Sequence, residues 1–465
     1  ETVPRERPTQ EITAASGAVE LEKRGQQLYE IGRWEEAIAL LEEVAADYAA
    51  SGDDFRQARV LRNLALLYQE IGQISLAKDA INRSLNLIKE RDFTAENRKL
   101  EAQILEVLGS LQLASGQFEV ANKTWGNAAE IYSQLLYISG NSRNKINQAL
   151  ALRQLGLNRL VRAKLEEANQ LLIGQPESLT KFNAVYHLGE TLQLFGNFKQ
   201  AKITLEESLK IAEKLNNSQI VATALFGLAN NARLLGERET ALELYEQANN
   251  LATSPEIKIN SQLNQLSLLV SQEQWNRALN LIEEIQNTLD KLPQGITAIE
   301  ARINLANSLL DIKKSGEVRL TNMTAIAEML AIAVRQAEEL GNPQSLSYAL
   351  GSLGKLYEEN KQWKDAKELT EKALLLAQGI NAPELVYQWH WQLGRLLDFA
   401  GEKEKAIAAY ATATDTLQSI RGDLAANSSE AKFSFQESIE PVYRELIGLL
   451  LEPDANGEVE QDELI

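Results

Sequence analysis

The sequence predicts an all-α fold: a right-handed α-solenoid superhelix of about ten tandem helical hairpins with a C-terminal capping helix. Three observations carry this prediction. One phrase recurs along the chain, mostly at steps of 40 residues. Apolar residues inside each copy follow the helical period, as at Leu61, Leu64, Ala65 and Tyr68. Each copy also sets two small residues around a turn in fixed order, which is what two closely packed helices require.

The phrase is plainest from Leu64 through Gly72 to Ala77. Its first small position falls at Gly25, Ala65, Gly109, Ala149, Gly189, Ala229, Leu266, Ala306, Gly354 and Gly394. A second small residue stands on the next helix, at Ala37, Ala77, Ala121, Ala201, Ala241, Ala278, Ala366 and Ala406. Small side chains on facing helices let the two backbones approach. Between them a glycine (Gly32, Gly72, Gly116, Gly196, Gly236, Gly401) suits a helix C-terminus that needs positive φ. The aromatic two residues later (Trp34, Phe118, Phe198, Trp275, Trp363) closes the turn over the core.

Taken in order, residues 1–17 read as a disordered N-terminal segment. Residues 18–420 hold the repeats, separated by loop signals at Ser51-Gly52-Asp53, Gly140-Asn141-Ser142, Asn216-Asn217-Ser218, Ser254-Pro255, Pro293-Gln294-Gly295, Gly341-Asn342-Pro343 and Asn381-Ala382-Pro383. The copy at Ala306 is irregular: Lys313 to Glu317 and the residues after them delay its second helix to about Met323. Residues 421–451 form a capping or linking segment, loop or frayed helix from Arg421 to Glu430. A helix runs from Phe433 to Leu451, with Pro441 expected in its first turn. Residues 452–465 read as an acidic flexible tail. One hairpin cannot bury its own apolar face, so stacking supplies the continuous core.

Composition narrows the function. Apolar residues are 44% of the 465 and charged residues 24%, a soluble globular balance. Lys and Arg total 47 against 65 Asp and Glu, a net charge of −18 that argues against a nucleic-acid or anionic-membrane surface. No cysteine is present, which removes disulfides, thiolate nucleophiles, thiolate zinc sites and iron–sulfur clusters. The two histidines, His187 and His390, lie in distant segments and support a serine–histidine site poorly. No apolar run approaches the ~20 residues that span a bilayer. The first residue is Glu1, not Met, so a removed leader or excision from a longer protein is compatible with the sequence, and the compartment stays open between cytoplasmic and extracytoplasmic.

The small–Gly–Ala phrase resembles the tetratricopeptide repeat over roughly nine-tenths of the chain. The step of 40 exceeds the 34 of that repeat. Six extra residues lengthen each helix by about three residues, or ~5 Å. That resembles the long-helix variant of kinesin light chains and peptide-sensing regulators. Phe433 to Leu451 is similar to the stretch joining such arrays to a caspase-like CHAT protease domain, which uses a His and a Cys. The resemblance implies a repeat region without its protease, and a reading frame that continues past Ile465 into that domain.

In such a solenoid the first helices line the inner wall. Two residues before the small position stand Lys23, Asn63, Val107, Asn147, His187, Gly227, Asn264, Asn304, Ser352 and Gln392. An Asn amide offers a donor and an acceptor together, so Asn63, Asn147, Asn264 and Asn304 could hold the backbone of an extended peptide whatever its side chains. The resemblance adds that related long-helix repeats use an asparagine ladder this way. The alternative is that these amides are solvated or bond between neighbouring helices. Arg59, Arg62, Arg143, Arg153 and Arg233 sit beside that row and could pair an acidic peptide or a C-terminal carboxylate. Glu22, Glu70, Glu106 and Glu190 share the face, so internal ion pairs are the competing reading. Trp389-His390-Trp391 is either an exposed anchor or, as preferred, packing against the C-terminal helix.

The tail from Glu452 has EF-hand-like spacing, with Asp454, Asn456 and Glu463 as weak metal candidates. It opens on Glu rather than Asp and lacks an exiting helix, so an acidic linker is the competing reading. No other metal site, cofactor motif or catalytic motif is read. The sequence therefore points to a non-catalytic solenoid that binds protein or extended peptide in its concave groove. It is expected to be the sensor or regulatory arm of a larger TPR–CHAT-like protein, with the protease domain joined covalently after it. An architectural scaffold is the alternative, and a hydrolase with an unrecognised site a distant third.

Overall fold

The computed structural model describes residues 10–31, 33–89, 94–314, 322–419 and 435–451. These residues form 21 α-helices and no strand. The chain divides into two units, one ending at Leu188 and one starting at Gly189.

The first unit stacks α1 (Gln10–Glu30) and α2 (Trp34–Ser51), α3 (Asp54–Glu70) and α4 (Ile74–Ile88), α5 (Ala95–Ala114) and α6 (Phe118–Gln134), and α7 (Ile138–Gln154) and α8 (Asn158–Leu172). It ends within α9 (Leu179–Leu194). The second unit continues with α10 (Phe198–Lys214), α11 (Ser218–Leu234), α12 (Arg238–Leu251), α13 (Pro255–Ser271), α14 (Trp275–Leu289) and α15 (Ile296–Lys314). It is completed by α16 (Met323–Leu340), α17 (Pro343–Glu359), α18 (Trp363–Gly379), α19 (Pro383–Phe399), α20 (Lys403–Ser419) and α21 (Phe435–Leu451). Odd and even helices from α1 to α20 pair as ten hairpins, each carrying its first small position on the odd helix.

All ten first small positions are buried, and all eight second-helix alanines are fully so. Five of the first positions are glycine, and there the residue sixteen further on fills the missing side chain's place. A Cβ at Gly109 would lie 2.4 Å from Trp125 Nε1, and one at Gly189 2.7 Å from Leu205. Leu41, Thr370 and Tyr410 fill the same place over Gly25, Gly354 and Gly394. The turn position seven residues after the small one has positive φ throughout the copies from Gly72 onward where it is Gly, and also where it is Glu273 (55°) or Lys361 (60°). The aromatics Trp34, Phe118, Phe198, Trp275 and Trp363 are each the first residue of a second helix. Trp363 stacks on Phe399 of the next hairpin at 3.7 Å between ring centres.

Several boundaries differ from the sequence reading. Helix α1 begins at Gln10, inside the segment assigned to disorder. Gly140-Asn141-Ser142 is no loop: it forms the first turn of α7 and is buried. The turn lies just before it, where Leu136 takes φ 55° while 87% exposed. Gly140 is needed because a Cβ there would meet Tyr132 Cδ1 at 2.7 Å, a close approach rather than a turn. Pro441 sits in the interior of α21 rather than in its first turn. Helix α16 starts at Met323 as expected, with Asn322 Oδ1 accepting from the Thr324 and Ala325 amides at 3.0 and 3.4 Å. The assignments on residues 315–321, 421–434 and 452–465, the acidic tail with Asp454, Asn456 and Glu463 included, lie outside the described residues.

First helices pack on one another at α3 on α5 in the first unit, and at α11 on α13, α13 on α15, α15 on α17 and α17 on α19 in the second. The corresponding second helices approach less closely. The first helices therefore form the inner wall of each stack.

Candidate functional site

On each first helix the inner wall is built from positions six, three and two before the small residue and one after it. Those spacings of four and three residues keep side chains on one helical face. The site is this wall, and its chemistry differs between the two units.

In the first unit the wall is charged. Arg59 Nε and Nη2 donate to Glu22 Oε1 and Oε2 at 3.1 and 3.0 Å, and Tyr48 Oη donates to Glu22 at 3.1 Å. Two hairpins on, Arg143 Nε and Nη2 donate to Glu106 Oε1 and Oε2 at 2.8 and 3.0 Å. Tyr132 Oη donates to the same carboxylate at 3.1 Å and Asn144 Nδ2 at 2.7 Å. Both triads join three helices with separations of 26 and 37 residues. Burial, then the Glu106 charge, pushes the Tyr132 phenol well above its ordinary value. Burial, then Glu22, raises the Tyr48 phenol.

Between the triads lies Arg62. Its Nη1 donates to Gln103 Oε1 at 2.6 Å, and Nη2 and Nε donate to Asn63 Oδ1 at 2.7 and 3.3 Å. Burial pulls this guanidinium below the ordinary arginine value, against smaller opposing effects of Tyr132 and Glu106.

In the second unit the wall is mostly neutral amide. Tyr245 Oη donates to Asn230 Oδ1 at 2.6 Å, which also accepts from Asn264 Nδ2 at 3.3 Å. Arg233 Nη1 donates to Asn264 Oδ1 at 3.4 Å. Asn304 Oδ1 accepts from Tyr348 Oη at 2.9 Å, and Asn307 Nδ2 donates to Ser352 Oγ at 3.2 Å. Charge returns at the last hairpins, where Arg395 forks onto Glu358 at 2.7 and 3.1 Å.

The structure thus separates the four asparagines. Asn264 is 1% exposed and bonds between α11 and α13, so it cannot offer its amide to the wall as the ladder requires. Asn304 bonds the next hairpin through Tyr348 while partly exposed. Asn63 is partly exposed and engaged by Arg62. Asn147 is partly exposed and makes no side-chain hydrogen bond to a described residue. Arg143 and Arg59 are ion-paired internally, and Arg153 and Arg233 also have partners.

Trp389 is buried against the preceding hairpin, its Nε1 donating to Ser347 Oγ at 3.0 Å. Trp391 Nε1 donates to Glu445 of α21 at 2.7 Å, so it packs against the C-terminal helix. His390 is pushed down by burial, and His187 lies edge-on to Tyr186. Among the described residues no three His, Asp or Glu side chains gather as metal ligands. No described helix is long and apolar enough to cross a membrane.

Internal ion pairs were expected on this face, and Arg59–Glu22 and Arg143–Glu106 are such pairs; the tyrosines that complete the triads were missed. Their signal was present: Glu22, Tyr48 and Arg59 recur as Glu106, Tyr132 and Arg143 with equal separations. The Asn230–Tyr245 bond left no such repeat.

The profile of the tetratricopeptide repeat family matches residues 18–90 and 181–254. Those stretches are the first two hairpins and the fifth and sixth, and they are tetratricopeptide repeats. No curated protein matches the chain. Among solved structures, the apo form of the quorum sensor NprR from B. thuringiensis is 13% identical with a TM-score of 0.52, covering 74% of this chain and 96% of its own. Apo RapI is 14% identical with a TM-score of 0.45, covering 64% of this chain and 99% of its own. A Rap protein complexed with competence and sporulation factor is 11% identical with a TM-score of 0.46, covering 83% and 99%. The likeness to NprR is one of fold: an all-α solenoid of helical hairpins.

Proposed function

We propose that this chain is a non-catalytic recognition solenoid whose inner wall holds an extended peptide or a protein segment. The observation that carries the reading is Asn147, a partly exposed wall amide with its hydrogen-bonding capacity unspent among the described residues. One amide can satisfy both the N–H and the C=O of a ligand peptide unit, which makes recognition tolerant of ligand side chains. Asn63, two hairpins away at the same repeat position, adds the Nδ2 donor of its amide, its Oδ1 being held by Arg62. Both sit on rigid first helices braced by the Glu–Arg–Tyr triads, which keeps the ordering cost of binding low.

The test is capture. The purified chain is incubated with random heptapeptides carrying a photo-crosslinking residue, and adducts are mapped by mass spectrometry. Adducts on first helices around Asn63 and Asn147 support the reading. Capture of no peptide favours the architectural scaffold, for which the internal bonds of Asn264 and Asn304 speak.

The finer reading makes the solenoid the sensor or regulatory arm of a larger protein resembling TPR–CHAT proteases. It is supported by the pattern from Phe433 to Leu451, within which α21 lies. The genomic frame tests it: continuation past Ile465 into a domain bearing a His and a Cys supports the arm, and a stop codon there overturns it.

A further inference from the structure

The turn from α6 to α7 departs from its counterparts. Gly52 follows Gly25, Asn216 follows Gly189 and Asn381 follows Gly354 by the same 27 residues, and each takes positive φ. Glycine and asparagine are the residues that tolerate this backbone. Leu136 follows Gly109 by 27 residues too, and holds φ 55° with 87% of its surface exposed. It combines a left-handed backbone with an apolar side chain left in water, two penalties that an asparagine would avoid.

Leu136 does not stand alone. Tyr137 and Ile138 in the same turn are 41% and 37% exposed. Helices α7 and α8 form one hairpin, so the turn after α8 lies beside the turn before α7, and there Ile173 and Leu179 are 67% and 55% exposed. Together the five display roughly 500 Å² of apolar surface, within the range of the largest patch on a typical monomer. The patch has a firm base. The Tyr137 ring rests 5.3 Å from the Tyr132 ring, Lys99 Nζ lies 5.0 Å over it, and the missing Cβ of Gly140 makes its room. Charge is nearly absent: residues 133–140 and 172–180 hold one charged side chain, Glu177, which is paired with Lys181 at 3.2 Å. Depletion of charge around aromatic and aliphatic side chains is the composition of an interface core.

We propose that this edge of the first unit is a two-fold interface with a second copy of the chain. Two observations choose that occupant. A surface without net charge can face itself, whereas a charged partner or an anionic membrane would be steered by opposite charges that these turns lack. The area also fits: packed on its own copy, the patch removes roughly 1,000 Å² from water, the lower bound of a specific interface. A contact of that size is reversible, and the −18 on each copy opposes it, so the dissociation constant is expected on the order of 10 μM. The interface uses the turn edge rather than the inner wall, and holds whether or not a peptide is bound there.

Sedimentation velocity of the full chain, from about 2 to about 200 μM, tests this. Wild type should pass from monomer to dimer across that range with no larger species, because a two-fold contact closes on itself. Leu136→Asn supplies a residue that the same turn position uses elsewhere, and should weaken dimerisation at least about tenfold. Ile173→Asp, in the neighbouring turn, should do the same. A thermal melt at the dilute end should show both variants folded, with Leu136→Asn melting no lower than wild type. Leu375→Asp alters a side chain 71% exposed in the second unit and should leave the dimer unchanged. A wild type that is monomeric at every concentration overturns the proposal and leaves these turns to a different protein. A dimer that survives in both Leu136→Asn and Ile173→Asp overturns it by placing the contact elsewhere, as does a dimer lost equally in Leu375→Asp. Open-ended assembly overturns the two-fold.

Discussion

Glu106 on α5 grips Arg143 on α7 by two parallel bonds, Nε to Oε1 at 2.8 Å and Nη2 to Oε2 at 3.0 Å. Tyr132 on the intervening α6 donates to the same carboxylate, so one group ties three consecutive helices. Glu106→Gln should therefore destabilise by about 1–2 kcal/mol, a value kept low because the Arg143 side chain remains 42% exposed. In a double-mutant cycle with Arg143→Met, the double variant should lose less than the sum of the singles. Additive losses in urea unfolding would show that the pair is not coupled.

Gly109 is required by Trp125 and not by backbone conformation. A Cβ at Gly109 would sit 2.4 Å from the indole Nε1, and that indole is fixed by its bond to the Glu106 carbonyl at 3.1 Å. Gly109→Ala should cost about 1–3 kcal/mol by overpacking, despite the gain in helix propensity. Gly448 in α21 has nothing within 4 Å of its Cβ direction, so Gly448→Ala should stabilise by about 0.5–1 kcal/mol. Denaturation midpoints moving the same way for both would contradict the packing argument. By the same reasoning Ala241→Leu, at a fully buried second-helix position, should cost about 1–3 kcal/mol.

Lys361 occupies the turn position that most copies give to glycine, and it does so at φ 60° and exposed. Lys361→Gly should relieve left-handed strain and stabilise by roughly 0.5–1 kcal/mol after the entropic cost of glycine. A lower melting temperature for this variant would place a needed contact on the lysine side chain.

Burial pushes the Tyr245 and Tyr348 phenols up from 10.0 to about 12. The folded state then keeps its phenolic protons at a pH where the unfolded state loses them. The contribution is fully present below pH 10 and is lost as pH rises toward 12. The stability difference between wild type and Tyr245→Phe should narrow by about 1–2 kcal/mol between about pH 9 and pH 12. A difference that stays constant over that range would place the phenol in a solvated site.

The hairpins were legible because their determinants are local. Gly109, Ala121 and the glycine of the turn stand at fixed spacings on one stretch of chain, and the same arithmetic put the late helix at Met323. Turns marked by Asn or Pro without glycine were legible too, as at Asn216 and Asn381, both with positive φ, but the turn at Leu136 was not. Leu136 adopts positive φ where no turn residue advertises it, so the neighbouring Gly140 drew the loop assignment instead. The wall was legible as a face but not in its pairing. Asn147 and Asn264 share a repeat position and even a flanking phrase, yet Asn264 is buried by Asn230 and Arg233 from the preceding hairpin. Which amide stays available is decided by residues some thirty positions away, which one repeat unit does not record.

The most direct test of the account is a calorimetric titration in which one peptide, recovered by capture on wild type, is measured against wild type and against Asn63→Ala with Asn147→Ala. Removing each amide–peptide hydrogen bond should weaken binding by ~0.5–1.5 kcal/mol, so the double variant should bind at least about tenfold more weakly. Its circular dichroism and melting temperature should match wild type. Equal affinities with the fold intact would contradict recognition by the inner wall.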